Sequence, residues 1–287
     1  MPLPAETSMG PVHLTVSDLH RSLDYYRSVV GLDMLEQGAG RASLGADSTE
    51  LLGLVEEADA EPSDGYTGLY HFALLVPDRP SLARWLAHAV RERVPLTGLS
   101  DHYVSEAIYL RDPDRHGIEI YADRPRELWE GRVGQRMTTE PLDVADLLAQ
   151  GDGDFDRLPA GTTIGHVHLK VAAIPETVEF YRDVLGFDLV VERVPQAAFL
   201  SAGGYHHHLG ANTWESSGAP PPPEGSAALR HATVLLPSAA ARDEVVRRVA
   251  DAGQEPEETA AGPLVRDPSG NALVLTATSA PASAQTQ

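Results

Sequence analysis

The chain has 287 residues, 42% of them hydrophobic, enough for two cores of ordinary size. It has no cysteine, so disulfides and thiolate metal sites are excluded and any metal must be held by His, Asp, Glu or water. The formal net charge of -20, from 22 basic and 42 acidic residues, argues against a nucleic-acid backbone or an anionic membrane surface as partner. No apolar run approaches the ~20 residues needed to span a bilayer, and the first residues lack the basic-then-apolar pattern of a leader, so a soluble cytoplasmic protein is expected.

Residues 12–16 alternate like a strand. Residues 18–30 carry Leu19, Leu23, Tyr26 and Val30 on one stripe, an amphipathic helix that Gly31 ends. Strand-like segments follow at 34–37, 41–44 and 50–56. A second unit starts with a strand at 70–76 and a helix at 80–91, then strands at 96–100, 106–111 and 117–121. Both units read β-α-β-β-β. Residues 124–162 contain turn-rich sequence and one short helical stretch at 142–149, predicting a linker that packs on the surface. The pattern recurs over 163–214 and 229–277, with a stiff polyproline-like loop at 218–225. These boundaries predict domains at 10–123 and 163–278, a linker between them, and a disordered tail at 279–287.

The recurrence is a duplication. VHLTVSDL at 12–19 matches VHLKVAAI at 167–174, YYRSVVGLD at 25–33 matches FYRDVLGFD at 180–188, and RDPD at 111–114 matches RDPS at 266–269. All three pairs share one offset, 155 positions from Tyr26 to Tyr181. Three separate matches at one spacing mean a repeated unit.

Within the second copy, residues 198–214 read as two short strands across a Gly203–Gly204 turn. Side chains alternate along a strand, so His206 and His208 share one face and His207 takes the other. Such a pair suits a metal site. The alternative is a polar strand face whose histidines pack and hydrogen-bond.

Four tandem β-α-β-β-β modules with these β-α starts and Asp-Pro turns resemble the vicinal oxygen chelate superfamily, which includes glyoxalase I, extradiol ring-cleaving dioxygenases and the fosfomycin and bleomycin resistance proteins. The match covers nearly the whole chain outside the linker and tail. The stretches DHYVSEAIYL at 101–110, GIEIYAD at 117–123 and GYHHHLGANTW at 204–214 are similar to a two-domain bacterial catechol-2,3-dioxygenase-like branch. The resemblance implies an α+β fold in which modules pair into cupped mixed sheets and metal ligands project from the first and last strands of a module.

At those positions module one offers Pro11 and apolar residues at 51–54. Module two offers His71 and Glu119, module three offers His166 and His208 (or His206), and module four offers His231 and Val274. His168 matches His13 in the first copy and reads as scaffold. Pairing within each domain would separate His71 and Glu119 from His166, His208 and His231. Pairing across domains would collect His71, Glu119, His166 and His208 in one cup and leave only His231 in the other. The cross pairing is favoured because it places the one correctly located carboxylate beside three histidines. Each residue also has a structural alternative: Glu119 on a solvated strand face, His71 as a satisfied polar residue, His231 as a packing histidine.

The resemblance implies Fe(II), with Mn(II), Ni(II) or Zn(II) also accepted by such donors. It implies a small aromatic diol and O2 as partners, with His102 as acid/base and Tyr205 or Tyr121 as proton donors. A solvent-loop role for His102 is the alternative. Extradiol enzymes use two histidines and one carboxylate, so a third histidine would be a departure. That departure keeps open a glyoxalase-like lyase or isomerase. A metal-free binding or resistance protein is a third reading. Four modules satisfy the pairing within one chain, as monomer or homo-oligomer.

Overall fold

A computed structural model describes residues 1–191 and 194–278; the tail expected at 279–287 lies outside the described residues. Module one supplies β1 (Ser8–Val16), β2 (Asp33–Gly38), β3 (Arg41–Ala46) and β4 (Thr49–Glu56). Module two supplies β5 (Gly68–Leu75), β6 (Leu96–Asp101), β7 (Ser105–Arg111) and β8 (Gly117–Asp123), and β9 (Glu140–Pro141) follows. Module three supplies β10 (Thr163–Lys170), β11 (Asp188–Val191), β12 (Ala197–Ser201) and β13 (Leu209–Asn212). Module four supplies β14 (Leu229–Leu236), β15 (Glu257–Thr259), β16 (Gly262–Arg266) and β17 (Ala272–Ala277).

The strands form two mixed sheets, β11-β12-β13-β10-β5-β8-β7-β6-β9 and β15-β16-β17-β14-β1-β4-β3-β2. Each sheet therefore takes one module from each half of the duplicated chain. The halves meet at antiparallel pairs, β5 with β10 and β1 with β14. This is the crossed pairing that the ligand positions favoured. One apolar cluster joins Val12 and Leu14 of β1 to Val167 and Leu169 of β10 and to Leu82, Trp85 and Val249 on the helices. Both sheets share that core, which leaves the opposite face of the module-two and module-three sheet for polar groups.

The helices start where local chemistry dictates. The Asp78 carboxylate accepts from Ser81 N–H to cap Arg79–Glu92, and Ser238 caps Ala239–Asp251 in the same way. The expected helix over 18–30 is only partly α: Leu19–Tyr25 is α, and Tyr26–Val30 widens to a π turn. The same happens at Glu179–Leu185 in the second copy. In both, the tyrosine carbonyl accepts two backbone N–H groups past the helix end. The tyrosine hydroxyls donate to the Asp-Pro aspartates, Tyr26 to Asp112 at 2.9 Å and Tyr181 to Asp267 at 3.1 Å. Gly31 and Gly186 close these turns at φ 88° and 92°, a conformation that favours glycine.

Part of the segment expected to lie on the surface as a linker is buried. Trp129, Val133 and Met137 fall four residues apart and pack with Val104 and Val191. Arg126 donates to Gly203 O at 2.7 Å, tying this segment to module three. Among the described residues no helix is long and apolar enough to cross a membrane.

Candidate metal centre

The strand register places the site. On β5, β8 and β10, Ala73 is paired with Glu119 on one side and with His166 on the other. His71 lies two residues before Ala73 on the same face and pairs with His168. His71, Glu119 and His166 are all buried, and each has a ligand atom within 4.8 Å of the others. The Nε2 of His71 is 2.9 Å from Glu119 Oε2, and the Nε2 of His166 is 3.0 Å from the same oxygen.

Burial opposes ionisation of Glu119, but its interaction with the adjacent His166 and His71 imidazoles outweighs that cost and holds the carboxyl well below its usual range. Burial holds His166 below the usual imidazole value, so it is neutral, the form that binds metals. Close as it is, His71 Nε2 has no aligned hydrogen-bond partner among the described residues. A buried nitrogen without a partner costs free energy, and a cation between these three donors would satisfy it. Two imidazoles and one carboxylate on one side of an ion form the set that non-haem Fe(II) sites use, with positions left open. The donors fit such a metal.

His208 does not join this group. Its Nδ1 accepts from Ala202 N–H at 3.2 Å and sits 3.4 Å from Ser201 Oγ, and its ring packs against Tyr205. The expected two-strand hairpin is the reason: Gly203 and Gly204 do turn at positive φ, but β13 begins only at Leu209, so the histidines lie in irregular chain. The alternation rule does not apply there, and His207 is the one that faces the site, with its ring centroid 4.1 Å from that of His166. His206 points away from the metal donors, its Nε2 2.9 Å from Asp123 Oδ1. His231 lies in the other sheet, stacked on His13 at 4.3 Å.

Because the Asp123 carboxylate only accepts, His206 carries its proton on Nε2. His206 Nδ1 then accepts from His207 Nδ1, 2.8 Å away, leaving His207 Nε2 unprotonated. Burial keeps His207 neutral, its value well below that of a free imidazole.

A cavity of about 940 Å³ opens over these groups. His102 lines it. Its Nδ1 donates to Thr138 O at 2.7 Å, so in the neutral ring Nε2 accepts from the Tyr109 hydroxyl, also at 2.7 Å. Tyr109 also lines the cavity, and burial with the Glu119 charge beside it pushes its hydroxyl well above 10. Sequence reasoning missed Tyr109, although it is the direct cross-strand partner of Glu119. Tyr121 and Tyr205 were expected as donors, but they do not line the cavity. Tyr121 meets Tyr205 at 2.9 Å, and Tyr205 donates to Asp123 at 3.0 Å, a buried network at one end of the site.

Among the described residues the second sheet has no equivalent centre. His13 and His231 stack at the β1–β14 junction, and the final strand presents Val274 where module two has Glu119.

The chain is similar to known proteins along nearly its whole length. The family described as the Glyoxalase/Bleomycin resistance protein/Dioxygenase superfamily matches residues 8–120 and 163–275. A catechol-2,3-dioxygenase of Bacillus subtilis (strain 168) is 44% identical over 276 residues, covering 94% of this chain and 96% of that protein. Among solved structures, a putative dioxygenase from Bacillus subtilis subsp. subtilis str. 168 superposes with a TM-score of 0.64 at 16% identity, covering 94% of this chain and 85% of that one. Glyoxalase I from Zea mays superposes with a TM-score of 0.58 at 15% identity, covering 94% and 92%. At these identities the solved structures speak for the fold alone.

Proposed function

The chain belongs to the glyoxalase/bleomycin resistance protein/dioxygenase superfamily, and on that premise we propose that it is an Fe(II)-dependent extradiol dioxygenase that opens the ring of a catechol-type aromatic diol. The observation that carries this reading is the convergence of His71, His166 and Glu119, two buried imidazoles and one buried carboxylate, in the lining of a cavity. A catechol-2,3-dioxygenase with 44% identity over almost the full length supports the same chemistry.

His71, Glu119 and His166 would hold the metal. Bound iron(II) supplies Lewis acidity toward the two phenolic oxygens and an electron path between the aromatic ring and dioxygen. The chain's own groups handle protons and position. Tyr109 and His102 form a hydrogen-bonded pair whose His102 end is fixed by Thr138 O, so a phenolic proton arriving at the pair has an acceptor in His102 Nε2. His207, with an unprotonated Nε2 set by His206 and Asp123, offers a hydrogen-bond acceptor in the same cavity, while burial makes it a weak base. Phe199 and Trp214 give the cavity aromatic walls against which a planar ring would stack.

The glyoxalase-like reading depends on a fourth protein ligand. His208 was its source, and its Nδ1 is already engaged by Ala202. A metal-free binding protein has no use for three buried ligand atoms this close together. The test is oxygen uptake with catechol by iron-loaded protein, accompanied by a yellow ring-opened semialdehyde. Turnover of a thiol adduct of an α-ketoaldehyde instead would support the glyoxalase-like alternative.

A further inference from the structure

His102 stands in the turn between β6 and β7, and that turn is held in an unfavourable shape. It closes with His102 N–H donating to Ser105 O at 2.9 Å. The next residue, Tyr103, has φ 69°, the left-handed region that a bulky side chain avoids. Such a conformation persists only where its surroundings impose it, and it gathers at the working parts of proteins.

The restraints here are specific. Asp101 Oδ1 accepts from Tyr103 N–H at 2.8 Å, and Asp101 Oδ2 accepts from Arg124 at 2.6 Å. The same Arg124 nitrogen donates to the buried Glu106 at 3.2 Å, and Arg124 N–H donates to Val104 O at 2.9 Å. The Tyr103 hydroxyl donates to Leu128 O at 2.9 Å, and Arg136 lies over its ring at 4.9 Å. Rotation of Tyr103 to an ordinary φ would turn the peptide between His102 and Tyr103. The carbonyl of that peptide accepts from Thr138 N–H at 3.3 Å, beside the 2.7 Å bond from His102 Nδ1 to Thr138 O. The ring would not then keep its Nε2 2.7 Å from the Tyr109 hydroxyl.

Resting on the dioxygenase reading, we propose that Asp101 and Arg124 are positioning residues for turnover. They hold the turn at Tyr103 so that His102 meets Tyr109 with Nε2 as acceptor. Neither residue lines the cavity, so both act through His102 and not on the substrate.

The test is a double-mutant cycle in oxygen uptake with catechol, on the iron-loaded full chain. Asp101→Ala removes both bonds of the carboxylate. Arg124→Gln is the milder probe, because Glu106 keeps Arg79 as a partner. Each is expected to lower kcat about tenfold, short of the ~hundredfold that a 1 Å misplacement costs, with KM and bound iron unchanged. In a His102→Ala background either substitution should change kcat by less than about twofold, since the residue it acts through is gone. The full loss persisting in that background, or parental kcat in both single variants, overturns the proposal. A second readout needs no turnover. Nitrogen NMR of isotope-labelled histidines in the metal-free full chain, with His102 assigned by its loss in His102→Ala, should show one fixed tautomer protonated on Nδ1, averaged in Asp101→Ala and Arg124→Gln. That result with no catechol cleaved by the parent protein supports the positioning and sinks the dioxygenase reading. A tautomer that stays fixed in both variants overturns the positioning, and catechol cleavage by the parent then leaves the dioxygenase reading standing alone.

Discussion

His71 and His166 come from opposite halves of a duplicated chain, yet their Nε2 atoms approach one oxygen of Glu119 at 2.9 and 3.0 Å. The meeting depends on β5 pairing with β10, the seam between the halves. A metal at this point ties the halves together. At an iron concentration about a hundred times its Kd, binding adds about 2.7 kcal/mol, which raises the melting temperature of a chain this size by about 4–5 °C. Calorimetry with and without a chelator measures the shift, and Glu119→Ala is expected to abolish it.

His208 separates the three-donor site from a four-donor one. His71→Ala and His166→Ala are expected to lose stoichiometric metal, whereas His208→Ala keeps it. The His208 change leaves the buried Ala202 N–H without its acceptor, a cost of about 1–3 kcal/mol in stability. Metal analysis alongside urea unfolding of the three variants distinguishes a ligand from a packing residue.

Tyr109 is expected to matter for turnover more than Tyr121 or Tyr205. Removing the Tyr109 hydroxyl breaks the link to His102, and Tyr109→Phe should lower kcat with catechol about a hundredfold, the low end for a lost acid/base group. Tyr121→Phe and Tyr205→Phe remove hydroxyls that lie off the cavity, so each should change kcat less than tenfold while costing about 1 kcal/mol of stability. Steady-state oxygen uptake by the three variants checks the order.

Acid should destabilise the fold through its buried histidines. Burial, with His206 and His166 nearby, depresses His208 to about 3 from 6.5. Above pH 6.5 the ring is neutral folded and unfolded, and stability is unaffected. As pH falls from 6.5 toward 3, the unfolded chain takes up a proton that the folded chain refuses, so stability drops, by on the order of 4 kcal/mol. His231, pushed to about 4 by burial, by His13 and by Arg230, adds in the same direction and is more exposed, so its share is smaller. Chemical unfolding of His208→Gln across pH 7 to 4 should give a visibly shallower slope than the parent protein.

The fold was legible because a duplication repeats its landmarks: the paired tyrosines, glycines and Asp-Pro turns recur 155 residues apart and do the same jobs in both copies. The crossed pairing could be argued from ligand positions, since only one pairing unites Glu119 with two first-strand histidines. The histidine triplet was misread because the alternation argument presupposed a strand. The chain enters β13 only at Leu209, and in irregular backbone the faces of consecutive residues are not fixed by a period of two. Tyr109 was recoverable: counting back through the hairpin from Glu119 across the Asp-Pro turn lands on it. The buried part of the connecting segment also had a signal, the four-residue spacing of Trp129, Val133 and Met137, obscured by the glycines and charges between them.

The central claim is that iron held by His71, Glu119 and His166 supports extradiol cleavage. The most direct measurement loads anaerobic protein with one equivalent of Fe(II) and adds catechol and air-saturated buffer, following oxygen uptake and product identity for the parent protein and Glu119→Ala. The account predicts one O2 consumed per catechol, a yellow semialdehyde from cleavage beside the diol, and loss of both iron and turnover in the variant. Cleavage between the two hydroxyls to a dicarboxylic acid, or undiminished iron and turnover in Glu119→Ala, would contradict it.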